Sequence, residues 1–406
     1  MHKILFITTT NLSTNPRLLK ELKLADKIGF EITFAGFKLG NWSDKTEKKY
    51  LDELNEIRAS YIRATRQKLF PWLISTVIWK ISIFFSRIFP NSVWLNAYSE
   101  NKRCRLLKRQ VLKLRDNYDL VVSHNLGSLY PAYNIAKKHK IPFIFDIEDY
   151  HPGEKCSAVE KQRREFLMKK LLPKATSITY ASSLIGEHSF ALLEKESIPD
   201  NLLVNNCFSQ GEFGLKQNNS RKIQFVWFSQ NIAGGRGLEL IIPALSKFRN
   251  EIHLTLIGNL YPDFKNNFLN SYEDFTTILP PLPQKELHQK LCEFDIGLAI
   301  ELSSADFNRD ICLTNKIFAY AQSGLYILAT DTSGQKQFMN EHQLLGLVSG
   351  QTEAEMEDAI GKILKNIQEI RSKKKERFEY AKNLSWENES PKLKQLWNKV
   401  LNLAKI

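Results

Sequence analysis

Two runs of strand–helix alternation, separated by one stretch without periodicity, dominate this sequence and leave few folds open to it. In the first half KILFITTT (3–10), FEITFAGF (30–37), YDLVVSHN (118–125), IPFIFDIED (141–149) and ATSITYAS (175–182) are apolar runs of strand length. Such runs, lacking an apolar/polar alternation, belong to strands covered on both faces, as in parallel sheets. Between them lie helical patterns at 15–29, with Asn15 as N-cap and Pro16 opening the helix, and at 129–140. Residues 206–222 (NCFSQGEFGLKQNNSRK) then lose all periodicity. The alternation resumes with strands at 223–229, 253–258, 276–280, 295–301 and 325–331 and helices at 238–248, 285–294 and 315–323. The expectation is an α/β chain of two Rossmann-like, doubly wound domains, residues 1–205 and 223–384, joined by a linker at 206–222. The closing helix, 385–406, is expected to cross back to the first domain. Ligands should sit where strand carboxyl ends face the cleft.

Charge narrows the partners. The net charge is +13, and residues 62–115 alone hold five Lys and seven Arg against one acid, Glu100. Inside this region PWLISTVIWKISIFFSRIF (71–89) places Leu73, Ile74, Val77, Ile78, Ile81, Phe84, Phe85 and Ile88 on one helical face. Lys80, Arg87 and the bracketing Pro71 and Pro90 argue against a membrane span. Two readings remain, a helix docked on the protein's own core and a helix lying among lipid headgroups. The Lys and Arg flanks favour the second, with residues 69–115 as the segment meeting an anionic membrane surface. Interleaved Ile, Phe and Leu do not make a nucleic-acid groove, so no nucleic-acid partner is expected. Five widely spaced cysteines show no zinc spacing and fit a reducing cytoplasm, so the expected location is cytoplasmic, on the inner face of the plasma membrane.

The stretch FSQNIAGGRGLELIIPAL (228–245) sets a glycine-rich basic turn between a strand and a helix. Amide groups at a helix start bind anions, and glycine lets an anion approach without a Cβ in its way. Gly234, Gly235 and Gly237 fit that role, with Arg236 adding a fork of donors and Gln230 and Asn231 preceding them. No G-K-[ST] follows and the spacing is not G-x-G-x-x-G. A second helix start, at Thr314 or Asn315, carries Lys316 in its first turn, where the helix dipole disfavours a cation unless an anion sits between. Two such starts suggest a diphosphate.

These motifs resemble those of the GT-B glycosyltransferases, in particular the family-4 group that uses nucleotide sugars. The resemblance rests on Arg236–Gly237–Leu238–Glu239, on Lys316 through Thr330, on SHNLGSLYPA (123–132), on FIFDIEDYHPGE (143–154) and on the terminal helix near Ser385–Trp386. It implies a metal-independent, retaining transferase that uses a nucleotide-diphosphate sugar and no other cofactor. The donor would be held by Gln230, Asn231, Gly234, Gly235, Arg236, Gly237, Thr314, Asn315 and Lys316. Four departures stand out. Gln230 replaces an arginine, Ile311 and Ala319 occupy the positions of a glutamate pair, and Glu148 stands where the family has a histidine.

On the acceptor side, Asp146, Glu148, Asp149, His151 and Glu154 crowd into nine residues at a strand end. Glu148, Asp149 and His151 are the candidates for accepting the acceptor's hydroxyl proton. Asn11, Asn15, Arg17, His124, Asn125 and Glu154 are expected around them, and no metal ligand set is recognised. The alternative for this cluster is a strand terminus whose acids cap the next helix. The expected acceptor is lipid-linked or a glycan, in bacterial surface polysaccharide synthesis. A nucleotide-sugar isomerase of the same shape and a degenerate sugar-nucleotide-binding protein are the alternative functions.

Overall fold

The computed structural model describes residues 2–41, 43–54, 57–63, 65, 69–218 and 220–403. Arg66 and Lys68 of the basic segment, Asn219 of the expected linker and residues 404–406 of the terminal helix lie outside them. Two compact units emerge, Met1–Val204 with Ser390–Ile406, and Asn205–Glu389.

The first unit is built on a seven-stranded parallel sheet. Its strands are β1 (Lys3–Thr8), β2 (Glu31–Lys38), β3 (Ile57–Arg63), β4 (Leu120–His124), β5 (Phe143–Ile147), β6 (Ser177–Tyr180) and β7 (Asp200–Leu203), ordered 3-2-1-4-5-6-7. The strand order reverses between β1 and β4, where Thr8 lies opposite His124. Buried Ile4, Phe6, Phe34, Leu120, Val122 and Phe145 drive sheet formation by covering both faces. The helix Pro16–Ile28 starts as the sequence indicated, with the Asn15 side chain accepting from the Leu18 N–H, and ends at Gly29 in the left-handed region. In the returning terminal helix Trp397 is fully buried, its ring 6.0 Å from Phe6.

The second unit has six parallel strands, β8 (Ile223–Ile232), β9 (Ile252–Leu260), β10 (Thr276–Leu279), β11 (Ile296–Ala299), β12 (Tyr326–Thr330) and β13 (Gly346–Ser349), ordered 10-9-8-11-12-13. Its reversal lies between β8 and β11. Three edge or near-edge strands escape the sequence reading. β3, β7 and β13 are short or half-exposed and lack the apolar run that marks a central strand. The expected linker also differs, because Cys207, Phe208 and Phe213 are buried and pack with Phe318, Tyr320 and Leu291. Three buried apolar side chains outweigh the polar composition around them, so the segment belongs to the second unit.

The helix expected at 71–89 spans Leu69–Ile88 and is inverted relative to a docked amphipathic helix. Its buried residues are Ser75, Ser82 and Ser86, while Leu73, Val77, Ile81, Phe84, Phe85 and Ile88 are exposed. Ile74 and Ile78 are half-buried, but most of the apolar face is not docked on the protein's own core. By length and composition alone the helix is also long and apolar enough to cross a membrane.

Candidate functional site

At the second unit's reversal point, β8 continues past the expected stop. The pairing shifts register between Phe228 and Asn231, and Asn231 and Ile232 then pair with Asn259 and Leu260. Gln230 and Asn231 therefore belong to the strand and not to the turn. The Gln230 carbonyl accepts from the Asn259 side chain at 3.0 Å, and its own side chain is exposed. The turn itself is Ala233–Gly237. Gly235 and Gly237 have φ of +73° and +79°, a region that glycine enters without penalty. Gly237 opens the helix Leu238–Ser246, and a Cβ on it would lie 2.5 Å from Ile300 Cγ2. The turn is thus pressed against the end of β11. Gly235 N donates to Glu239 at 2.7 Å, and Gly234 and Arg236 stand exposed beside it.

One residue past Ile300 comes a side chain that sequence reasoning missed. Glu301 is buried, and its carboxylate pairs with Lys316 and, at 3.2 Å, with Arg309. Burial pushes this carboxyl up, but Lys316 and Arg309 outweigh burial and hold it below the usual carboxylate range. Lys316, expected as a lone cation waiting for phosphate, is instead ion-paired. Its Nζ also lies 5.8 Å from the Trp227 ring centre. Thr314 is the N-cap of the helix Asn315–Gln322, although its side chain makes no capping bond, and Asn315 is the first helical residue. The glycine turn, the Glu301–Lys316–Arg309 cluster and two helix starts therefore share the carboxyl edge of one sheet. The signal for Glu301 was present as the acid closing the apolar run DIGLAIE.

In the first unit, Arg17 and Asp146 form a sealed ion pair, with Arg17 Nε and Nη2 on the two carboxylate oxygens at 2.6 and 2.7 Å. Both residues are buried, so the expectation that Arg17 faces a cleft is overturned. Arg17 also donates to the Val204 carbonyl, and Thr179 to Asp146. His124, fully buried, places Nδ1 2.8 Å from Glu148 and 3.4 Å from Asp146, and Nε2 3.2 Å from Glu21. Carboxylates face both ring nitrogens, and that geometry requires both to carry protons. Burial opposes this, but Glu21, Asp146 and Glu148 outweigh it and raise the ring well above its ordinary pKa. Burial would likewise push the Asp146 carboxyl up, yet Arg17 and His124 hold it well below the usual range.

Donor atoms of Glu21, His124 and Asp146 lie within 4.8 Å of one another, a grouping that could ligate a cation. The guanidinium already seated on Asp146 and the doubly protonated ring make it a charge-balanced ion cluster that fits a metal poorly.

Glu148 is the only acid of this group with an open side, its side chain 19% exposed, and Asn15 Nδ2 donates to it at 2.6 Å. The structure thus brings Asn15, His124 and Glu148 together. Asn125 adopts φ +71° and accepts from Thr8. Asn11 is buried, caps the turn Leu12–Thr14 and donates to Ser43 at 2.7 Å, so it serves the loop itself. His151 is engaged elsewhere. Its Nδ1 lies 2.9 Å from Glu154, and its Nε2 accepts from the Leu126 N–H at 3.3 Å. Glu154 in turn pairs with Arg164 at 2.7 Å. Asp149 is half-buried at the end of β5, its carbonyl accepting from the His151 N–H.

No family model matches the sequence, and no curated protein matches it. Solved structures match along the whole chain. A sucrose-phosphate synthase from Thermosynechococcus elongatus superposes with a TM-score of 0.72 at 14% identity, covering 99% of this chain and 100% of that one. HepE of Anabaena, in complex with UDP and glucose, gives 0.66 at 12% identity over 98% and 100%. TarM of S. aureus, in complex with UDP, Fondaparinux and alpha-GlcNAc-glycerol, gives 0.66 at 10% identity over 99% and 100%. The chain therefore has the GT-B fold, two Rossmann-like units in tandem, shared with these transferases.

Proposed function

We propose that the protein is a glycosyltransferase that moves a sugar from a nucleoside-diphosphate sugar to a hydroxyl of a lipid-linked or glycan acceptor, in bacterial surface glycan synthesis. The observation that carries the reading is the Glu301–Lys316–Arg309 cluster beside Gly237, at the strand-order reversal of the second unit. Cleavage of the sugar–phosphate bond leaves negative charge on the departing diphosphate, and catalysis requires that this charge meet fixed donors. Arg236, Arg309, Lys316 and the amides opening the two helices would supply them without a metal. In the first unit Glu148, oriented by Asn15 and His124, would accept the acceptor's hydroxyl proton. Residues 69–115 would hold the enzyme at the cytoplasmic face of a membrane. Sharing a fold with UDP-bound transferases supports the donor class.

The test is a panel of UDP-, GDP- and ADP-sugars, incubated with and without a membrane-lipid extract, with nucleoside diphosphate release measured. Release that depends on the extract supports transfer. Interconversion of the sugar without it indicates an isomerase, and nucleotide binding without turnover a degenerate site.

A further inference from the structure

The inverted helix Leu69–Ile88 packs against the helix Val93–Glu100 through small residues. Ser75 and Ser86 turn their hydroxyls back onto the helix's own carbonyls, at Trp72 and Ile83, and Trp79 Nε1 donates to the Ser99 carbonyl at 2.8 Å. This side is satisfied, which leaves the outward side to explain. Phe70, Leu73 and Phe84 are 74%, 53% and 59% exposed, and Ile81, Phe85, Ile88 and Phe89 continue the same surface. A contiguous apolar patch of this kind marks an interaction surface.

Near the carboxyl end of the helix, on the side of Ser86 and Arg87 that adjoins the apolar face, lies a pocket of about 360 Å³, lined also by Asn91, Val159, Arg163 and Phe166. Arg163 is only 6% exposed. Its Nη1 makes a long bond of 3.5 Å to the Ser99 carbonyl, and its Nε has no partner. No carboxylate among the described residues pairs with it, although Glu100 and Glu160 lie near enough to act on its charge. Burial outweighs the pull of Glu100 and Glu160 and, with smaller repulsion from Arg87 and Arg164, weakens its hold on its proton. A buried guanidinium left in this state calls for an anion. Exposed Arg87 stands on the same pocket wall, and two forks of N–H donors suit phosphate oxygens.

We propose that this pocket binds the phosphate headgroup of an anionic membrane lipid whose acyl chains lie along the exposed face of Leu69–Ile88. The charge in the pocket and the apolar face beside it match the two ends of one phospholipid. The site gives the proposed membrane contact a specific headgroup seat. It rests on that part of the proposed function, but its test needs no sugar donor, so loss of transfer and loss of lipid binding are read separately.

The full-length protein is floated with vesicles of phosphatidylcholine alone, or of phosphatidylcholine mixed with either phosphatidylglycerol or cholesteryl hemisuccinate, which is anionic but lacks phosphate. Binding is expected on the phosphatidylglycerol vesicles and to be weak on the other two. Arg87→Gln and Arg163→Gln should each lower it about tenfold, the loss of one charge-assisted phosphate contact. Val159→Trp, which fills the pocket from an exposed position, should do the same without touching the buried arginine. Phe84→Asp should abolish binding, and Lys27→Gln, exposed on the helix Pro16–Ile28 and outside both the pocket and residues 69–115, should leave it nearly unchanged. Equal binding to hemisuccinate vesicles, an equal loss from Lys27→Gln, or full binding by Val159→Trp would each overturn the proposal. So would saturable binding of inorganic phosphate without vesicle recruitment, which would assign the pocket to a free anion.

Discussion

Gly237 offers the sharpest test of how closely the second unit's glycine turn is packed. Alanine there must adopt φ +79° and place its Cβ 2.5 Å from Ile300 Cγ2, a side chain that is itself buried at the end of β11. The left-handed conformation costs a non-glycine residue about 1–2 kcal/mol. Overpacking a filled position adds about 1–3 kcal/mol. A stiffer unfolded chain returns roughly 0.4–1 kcal/mol. Gly237→Ala should therefore destabilise by about 3 kcal/mol, the middle of a span of roughly 1–4.6 kcal/mol. Gly235 provides the control, since its φ is +73° but nothing lies within 4 Å of a Cβ built on it. Gly235→Ala should lose only the conformational part, about 1 kcal/mol. Urea unfolding followed by circular dichroism measures both, with a nucleoside-diphosphate titration alongside. Ile300→Ala removes the clashing methyl, so the double variant should be more stable than the two single losses added together, by the overpacking share of about 1–3 kcal/mol. Equal losses from the two alanines, or strict additivity with Ile300→Ala, would refute the close approach of the glycine turn to β11.

Other consequences follow from the ion clusters. Asp146→Asn strands the buried Arg17 guanidinium and should lower unfolding free energy by about 3–5 kcal/mol in the same urea assay. His124 has a raised pKa in the fold, so its stabilisation is whole below about pH 6.5, the ordinary histidine value, and is lost as pH rises through the folded pKa. A series of unfolding curves against pH should show this alkaline decline, and His124→Asn should flatten it. Lys316→Ala leaves Glu301 with Arg309 alone and should cost roughly 2–3 kcal/mol, less than breaking a lone buried pair. Glu301→Gln should tighten nucleoside-diphosphate binding several-fold in calorimetry, because Lys316 is released to the phosphates, and weaker binding would contradict that reading.

Central strands, the Asn15–Pro16 helix start and the glycine turn were legible because each is written locally, in apolar runs, caps and residues that permit positive φ. What escaped depended on contacts distant in sequence. The chain shows a lysine in a helix's first turn at 316, but only the parallel alignment of β11 and β12 brings Glu301 onto it. Arg17 read as cleft-facing because it follows a loop, yet the second position of its helix points inward onto Asp146. Periodicity correctly found an apolar face on 71–89 but not which way it turns. That depends on whether the neighbouring helix offers small residues, as Asn96, Ala97 and Ser99 do.

Glu301 also alters what the missing glutamate pair means. Ile311, which closes the helix Phe307–Ile311, and Ala319, in the helix Asn315–Gln322, are both buried and apolar, so neither position presents a carboxylate. The acid near the two cations comes instead from the end of β11. Held below the usual carboxylate range by Lys316 and Arg309, it is a poor proton acceptor at neutral pH. What it can do is neutralise part of the positive charge while the site is empty and fix the Lys316 ammonium beside Trp227. On the proposed function, an arriving diphosphate would compete with Glu301 for the same cations, and the affinity it gained would be the difference between two ion pairings. A site built this way would, on the proposed function, grip the diphosphate less tightly than bare cations would, which would favour release of the spent nucleotide after each transfer.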